Sequence, residues 1–143
     1  YIYGTTGVGK TRQVMEQYGY DKCYRVTDYA HPFDGYKGQD VIIFEEFRNS
    51  LKIADMLVYL DGYPVELPCR YANKQACFTK VYIISNWALE LQYPQIQAET
   101  PLTYQAWLRR IHTVRVFSDS GKYVDSTTQD YFKFKPVSVQ WPT

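Results

Sequence analysis

The stretch YIYGTTGVGKT, residues 1–11, matches G-x-x-x-x-G-K-[ST], with Gly4, Gly9, Lys10 and Thr11 at the fixed places. Few patterns constrain a fold as tightly. Ile2 and Tyr3 read as the end of an apolar strand. Residues 11–18 read as a helix with Val14, Met15 and Tyr18 on one face, closed by Gly19. A glycine-rich loop between strand and helix points its backbone amides at an anion over the helix N-terminus. In that role Gly4, Thr5, Thr6, Gly7, Val8, Gly9, Lys10 and Thr11 wrap nucleotide phosphates. Lys10 reaches the β- and γ-phosphates, and the Thr11 hydroxyl holds Mg²⁺.

Such a loop works with a carboxylate at the end of a buried strand. Val41 to Phe44 are four consecutive apolar residues, the pattern of a parallel strand buried on both faces. Glu45 and Glu46 follow directly. Adjacent side chains on a strand point opposite ways, so the two carboxylates can serve different tasks. Glu45 is assigned to the Mg²⁺ shell and Glu46 to orienting the attacking water. A second buried strand, Val81 to Ile84, ends in Ser85-Asn86. Its amide can reach the γ-phosphate or the lytic water.

Between these strands, Ile53, Met56, Leu57 and Leu60 mark an amphipathic helix ending near Gly62. Residues 64–86 read as a hairpin around the polar tip 72–75, running into the Asn86 strand. Residues 23–28 form a short strand, 87–101 a loop, 102–111 a helix and 112–117 a strand. The tail DYFKFKPVSV, residues 130–139, reads as an antiparallel ribbon. Strands alternating with helices predict an α/β fold with a mainly parallel central sheet flanked by helices, of the P-loop NTPase class.

A chain of 143 residues is one domain. The net charge of +1 gives no polybasic field, so any nucleic-acid contact must be local. Cys23, Cys69 and Cys77 are odd in number and form no C-x-x-C, which supports neither a disulfide framework nor a zinc knuckle and fits an intracellular setting. No apolar run approaches the ~18 residues of a membrane span, and no secretion leader is visible. The 15 tyrosines are either half-buried strand residues or stacking platforms for unpaired bases. The abrupt start at Tyr1 suggests a fragment of a longer chain.

In their order, these motifs resemble superfamily 3 helicases. The stretches FDGYKGQDVIIFEEF, LDGYP, VYIISN and AWLRRI resemble one branch: the replication-associated (Rep) proteins of small circular single-stranded DNA viruses and related plasmids. The resemblance runs from Tyr1 to about Phe117. One departure is Glu45, where many members carry Asp; Glu still ligates Mg²⁺.

The resemblance implies an AAA+-like ATPase that forms a homo-oligomeric ring, usually a hexamer, and moves on single-stranded DNA during rolling-circle replication. Its hairpin would project into the central channel, with Lys74 at the tip on strand phosphates and Arg70 and Lys80 near the base. Arg109 and Arg110 end a helix, where basic residues suit the dipole. By position against the family pattern, Arg110 first and Arg109 second are candidates for an arginine finger reaching a neighbour's ATP. The setting would be host cytoplasm or nucleus. The family's nicking domain would need an H-x-H pair, which His31 and His112 do not make. That domain and an oligomerisation segment are expected upstream of residue 1. A single-stranded RNA track, a P-loop small-molecule kinase and a nucleic-acid binding module whose ATP site serves assembly only are the competing readings. No arginine-rich lid follows Asn86 to favour the kinase.

Overall fold

The computed structural model describes residues 1–133. Its centre is a six-stranded sheet of β1 (Ile2–Tyr3), β2 (Cys23–Val26), β3 (Val41–Phe44), β6 (Lys80–Ser85), β7 (Thr113–Phe117) and β8 (Tyr123–Thr127). Their order across the sheet is β2-β3-β6-β1-β7-β8. The first five run parallel, and β8 returns antiparallel beside β7. This is the α/β, mainly parallel architecture that the sequence predicts.

The strand order places the site. β1 lies between β6 and β7, and β6 separates β1 from β3. Because the three strands are parallel, the phosphate loop after β1, Asn86 after β6 and the acidic pair after β3 leave the same edge of the sheet. Ligands of open parallel sheets bind at that C-terminal edge.

Period-two alternation divides the core. Val41 and Ile43 of β3 face one side, with Ile2, Ile84, Phe117 and Val14. Val14 belongs to α1 (Lys10–Tyr18), which covers this face. Ile42 and Phe44 face the other side, with Ile83, Met56, Trp107 and Val114. There α2 (Ile53–Tyr59) packs against α4 (Pro101–Arg110), and α3 (Pro94–Glu99) packs beside α4. Tyr104, Trp107 and Leu108 are the buried positions of α4, at i, i+3 and i+4. Trp107 meets Tyr93 edge-to-face at 5.0 Å, within the larger aromatic core.

Two expectations change. Residues 87–101 are not all loop: α3 lies within them, as does a single 3₁₀ turn at 89–91. Helix α3 has only six residues and no buried side chain, so it carries no apolar stripe to read. Pro94 at its first turn is the local signal. The antiparallel ribbon is present, but β7 and β8 form it, upstream of the expected tail. Residues 130–133 belong to α5 (Thr128–Lys133), and 134–139 lie outside the described residues.

The hairpin is real but shorter. β4 (Glu66–Leu67) pairs antiparallel with β5 (Lys74–Gln75). Its turn is therefore 68–73, and Lys74 stands in the second strand rather than at the tip. The tyrosines divide: Tyr1, Tyr36, Tyr93 and Tyr104 are buried in the core, whereas Tyr20, Tyr63, Tyr71 and Tyr123 are exposed.

Candidate functional site

The phosphate loop is built around two glycine requirements. A Cβ on Gly4 would stand 2.8 Å from Phe117 Cβ, so the loop leaves β1 against β7 only without a side chain. Gly9 has φ +91, in the left-handed region that favours glycine. It caps α1 without a side-chain hydrogen bond, leaving the first-turn amides of the helix to an external acceptor. Thr5 Oγ1 donates to Asp119 Oδ1 at 2.9 Å, and the partly buried Val8 packs on the α1 side of the core. The loop is thus anchored to the β7–β8 turn. Lys10 Nζ bends back over the loop and donates to the carbonyls of Gly4 (2.5 Å) and Thr5 (2.8 Å). Partial burial draws its pKa below the ordinary lysine value, while Glu45 and Glu46 pull the other way.

The acidic pair separates as the sequence requires. Glu45 N–H donates to Val26 O, and Phe47 N–H donates to Ile84 O at 2.8 Å. The chain is pinned on opposite neighbours within two residues, and Glu46 between them adopts φ +47. Left-handed backbone in a non-glycine residue costs on the order of 1–3 kcal/mol and gathers at functional sites. Glu45 is buried and Glu46 exposed. Glu45 Oε1 accepts from Thr11 Oγ1 at 2.6 Å, and Oε2 lies 3.4 Å from Arg25.

One cleft is lined by Thr6, Gly7, Gly9, Lys10 and Thr11, and by Glu45, Glu46 and Asn86. It also holds Arg48, which the sequence reading missed. Arg48 donates from Nε (3.2 Å) and Nη2 (2.9 Å) to Asn86 Oδ1. A basic residue two positions beyond the acidic pair was the available signal.

Gln92 was also missed, and it ties the two strand exits together. It is fully buried. Its Nε2 donates to Phe47 O (2.8 Å) and Tyr1 Oη (2.9 Å), and its Oε1 accepts from Asn49 N–H (2.8 Å). Ser85 Oγ also donates to Phe47 O, at 2.6 Å. Each buried polar group stranded by losing a partner costs about 1–3 kcal/mol. Gln92→Leu strands the Asn49 N–H while Phe47 O keeps Ser85 Oγ, and is therefore expected to destabilise the domain by about 1–3 kcal/mol, read as an earlier urea midpoint. A midpoint equal to wild type would contradict this hub.

The basic candidates lie elsewhere. Lys74 Nζ donates to Phe33 O at 3.3 Å and to Asp34 O, so it fastens the hairpin to the loop after β2. Arg70 pairs with Asp34 in the turn itself. Lys80 opens β6 and pairs with Asp40 at 3.0 Å. Tyr71 is 95% exposed at the turn. Arg110 pairs with Asp61 at 2.9 Å, tying α4 to the end of α2, while Arg109 is exposed. Both stand at the α4–β7 junction, the N-terminal end of the parallel strands, opposite the phosphate loop of the same chain.

Among the described residues, no cluster of three or more His, Cys, Asp or Glu gathers to hold a metal. The Thr11 hydroxyl and Glu45 carboxylate are hard oxygen donors side by side, a donor set that suits Mg²⁺ held jointly with substrate phosphates. No helix of the described residues is long and apolar enough to cross a membrane.

Comparison with known proteins adds a lineage to this geometry. The family model described as RNA helicase matches residues 1–86. The replication-associated protein of beak and feather disease virus is 34% identical over 101 residues, covering 71% of this chain and 34% of its own length. That of canary circovirus is 33% identical over 92 residues, 64% of this chain and 31% of its own. That of pigeon circovirus is 28% identical over 137 residues, 96% of this chain and 40% of its own. The chain thus spans about a third of the length of these relatives.

Proposed function

Because the chain belongs to the RNA helicase family, we propose that it is the ATP-hydrolysing motor domain of a viral replication-associated protein, translocating on single-stranded DNA to unwind duplex. The observation that carries this reading is the single cleft joining Lys10 and Thr11 to Glu45, Glu46 and Asn86. Phosphate binding falls to the amides of the loop and to Lys10, whose ammonium exchanges two carbonyl partners for phosphate oxygens. Thr11 and Glu45 hold Mg²⁺, which supplies charge neutralisation at the phosphates when bound. Glu46 accepts a hydrogen bond from the attacking water and aims it, and Asn86 contacts the terminal phosphate.

Arg110, with Arg109 second, is proposed to serve the site of a neighbouring copy in a ring. Its place at the far end of its own sheet supports action in trans. It must exchange Asp61 for the neighbour's phosphate.

The track is proposed to lie along the hairpin. Tyr71 offers a stacking face and Lys74 a phosphate contact, released from its carbonyl partners by the strand. The two contacts separate experimentally. Tyr71→Ala should weaken single-strand affinity by about 1–3 kcal/mol at unchanged salt dependence. Lys74→Ala should reduce the salt slope by roughly 0.7. Both are read from fluorescence anisotropy across a salt series. Unchanged affinity in both variants would remove the hairpin from the track.

A single-stranded RNA track is the second reading, favoured by the description of the matching family. Strand displacement on duplexes with DNA or RNA tails tests both. ATP-dependent displacement along the DNA tail supports the proposal, displacement along RNA alone replaces it, and displacement of neither refutes the motor.

A further inference from the structure

Arg48 leaves the strand end that carries the acidic pair and turns towards the neighbouring strand end. Its Nε and Nη2 both donate to Asn86 Oδ1, and its guanidinium lies 5.8 Å from the centre of the Trp87 ring. Its own N–H donates to Ser50 Oγ at 2.9 Å, fixing the turn from which it starts. An arginine has five donors and no acceptor. The amide atom between Nε and Nη2 must therefore be oxygen, whatever the ambiguity of an isolated amide. That leaves the Asn86 NH₂ group as the part free to act. Asn86 thus meets a nucleotide as a hydrogen-bond donor, suited to a phosphate oxygen, and not as an acceptor for water.

We propose that Arg48 is a positioning residue for nucleotide hydrolysis, clasping the Asn86 carbonyl so that the amide NH₂ faces the terminal phosphate. This rests on the ATPase reading above. Without the fork, the Asn86 amide rotates freely and presents either end to the phosphate. A fixed donor acts on charge that develops during transfer, so its loss belongs in kcat more than in nucleotide affinity.

The test is a double-mutant cycle on the full chain with Arg48→Ala, Asn86→Ala and the pair, together with Arg48→Lys. Phosphate release gives kcat, and a fluorescent ATP analogue gives affinity. Arg48→Ala should lower kcat about tenfold and leave affinity within about twofold. The double variant should match Asn86→Ala alone, because both changes remove one function. Arg48→Lys should recover part of kcat, since a single ammonium can still hold the carbonyl. Losses that multiply independently, a normal kcat in Arg48→Ala, or an affinity loss at normal kcat each overturn the positioning role. The last would make Arg48 a direct phosphate ligand. If the unaltered chain, shown by light scattering to be assembled, releases no phosphate with Mg²⁺ and single-stranded DNA present, the ATPase reading itself falls, and the role of Arg48 with it.

Discussion

Lys10→Ala is expected to lower ATP turnover about 10²–10³-fold and to weaken nucleotide binding. The ammonium is the sole side-chain cation that the loop itself supplies to the phosphates. It already lies across the loop, on the carbonyls of Gly4 and Thr5. Partial burial lowers its pKa and so disfavours its charge; two phosphate groups restore that charge with far stronger partners. Truncation leaves the helix N-terminal amides in place, so some binding should survive. Folding should be nearly unaffected, because the lost hydrogen bonds are partly solvated. Isothermal titration with a non-hydrolysable analogue and Mg²⁺ reads the binding, and phosphate release reads the turnover. Full affinity and turnover in Lys10→Ala would mean that the loop is a structural turn.

Glu46→Gln should act differently, abolishing turnover by about 10²–10⁴-fold while ATP binding persists. The strained backbone at Glu46 turns this side chain out of the sheet, while its neighbours Glu45 and Phe47 are buried. Glutamine keeps the shape and loses the charge that orients and draws a proton from water. Glu45→Gln should instead shift the Mg²⁺ concentration needed for half-maximal turnover, since Glu45 shares the Thr11 hydroxyl. Normal turnover in Glu46→Gln, with loss in Glu45→Gln at saturating Mg²⁺, would exchange the two assignments.

Much of this was legible in the sequence because it depended on local pattern. The phosphate loop needs glycine at fixed places, and the run Val41 to Phe44 is buried on both faces whatever surrounds it. What escaped the sequence was set by contacts across the chain. Gln92 looks like any polar loop residue until Phe47, Asn49 and Tyr1 close around it. Arg48 and Asn86 are 38 positions apart and meet only because β3 and β6 are neighbours. Lys74 looked like a turn residue because Ala72 to Gln75 is polar. Pairing with Leu67 puts it in a strand, and the carbonyls of Phe33 and Asp34 take its ammonium.

Phosphate release from ATP by the assembled chain, titrated with Mg²⁺, with and without single-stranded DNA, decides whether this cleft hydrolyses ATP. The expected result is turnover that requires Mg²⁺, rises when the strand is added, and disappears in Lys10→Ala. Release that persists at the wild-type rate in Lys10→Ala, or no release from the assembled chain at any Mg²⁺ concentration with the strand present, would contradict hydrolysis in this cleft.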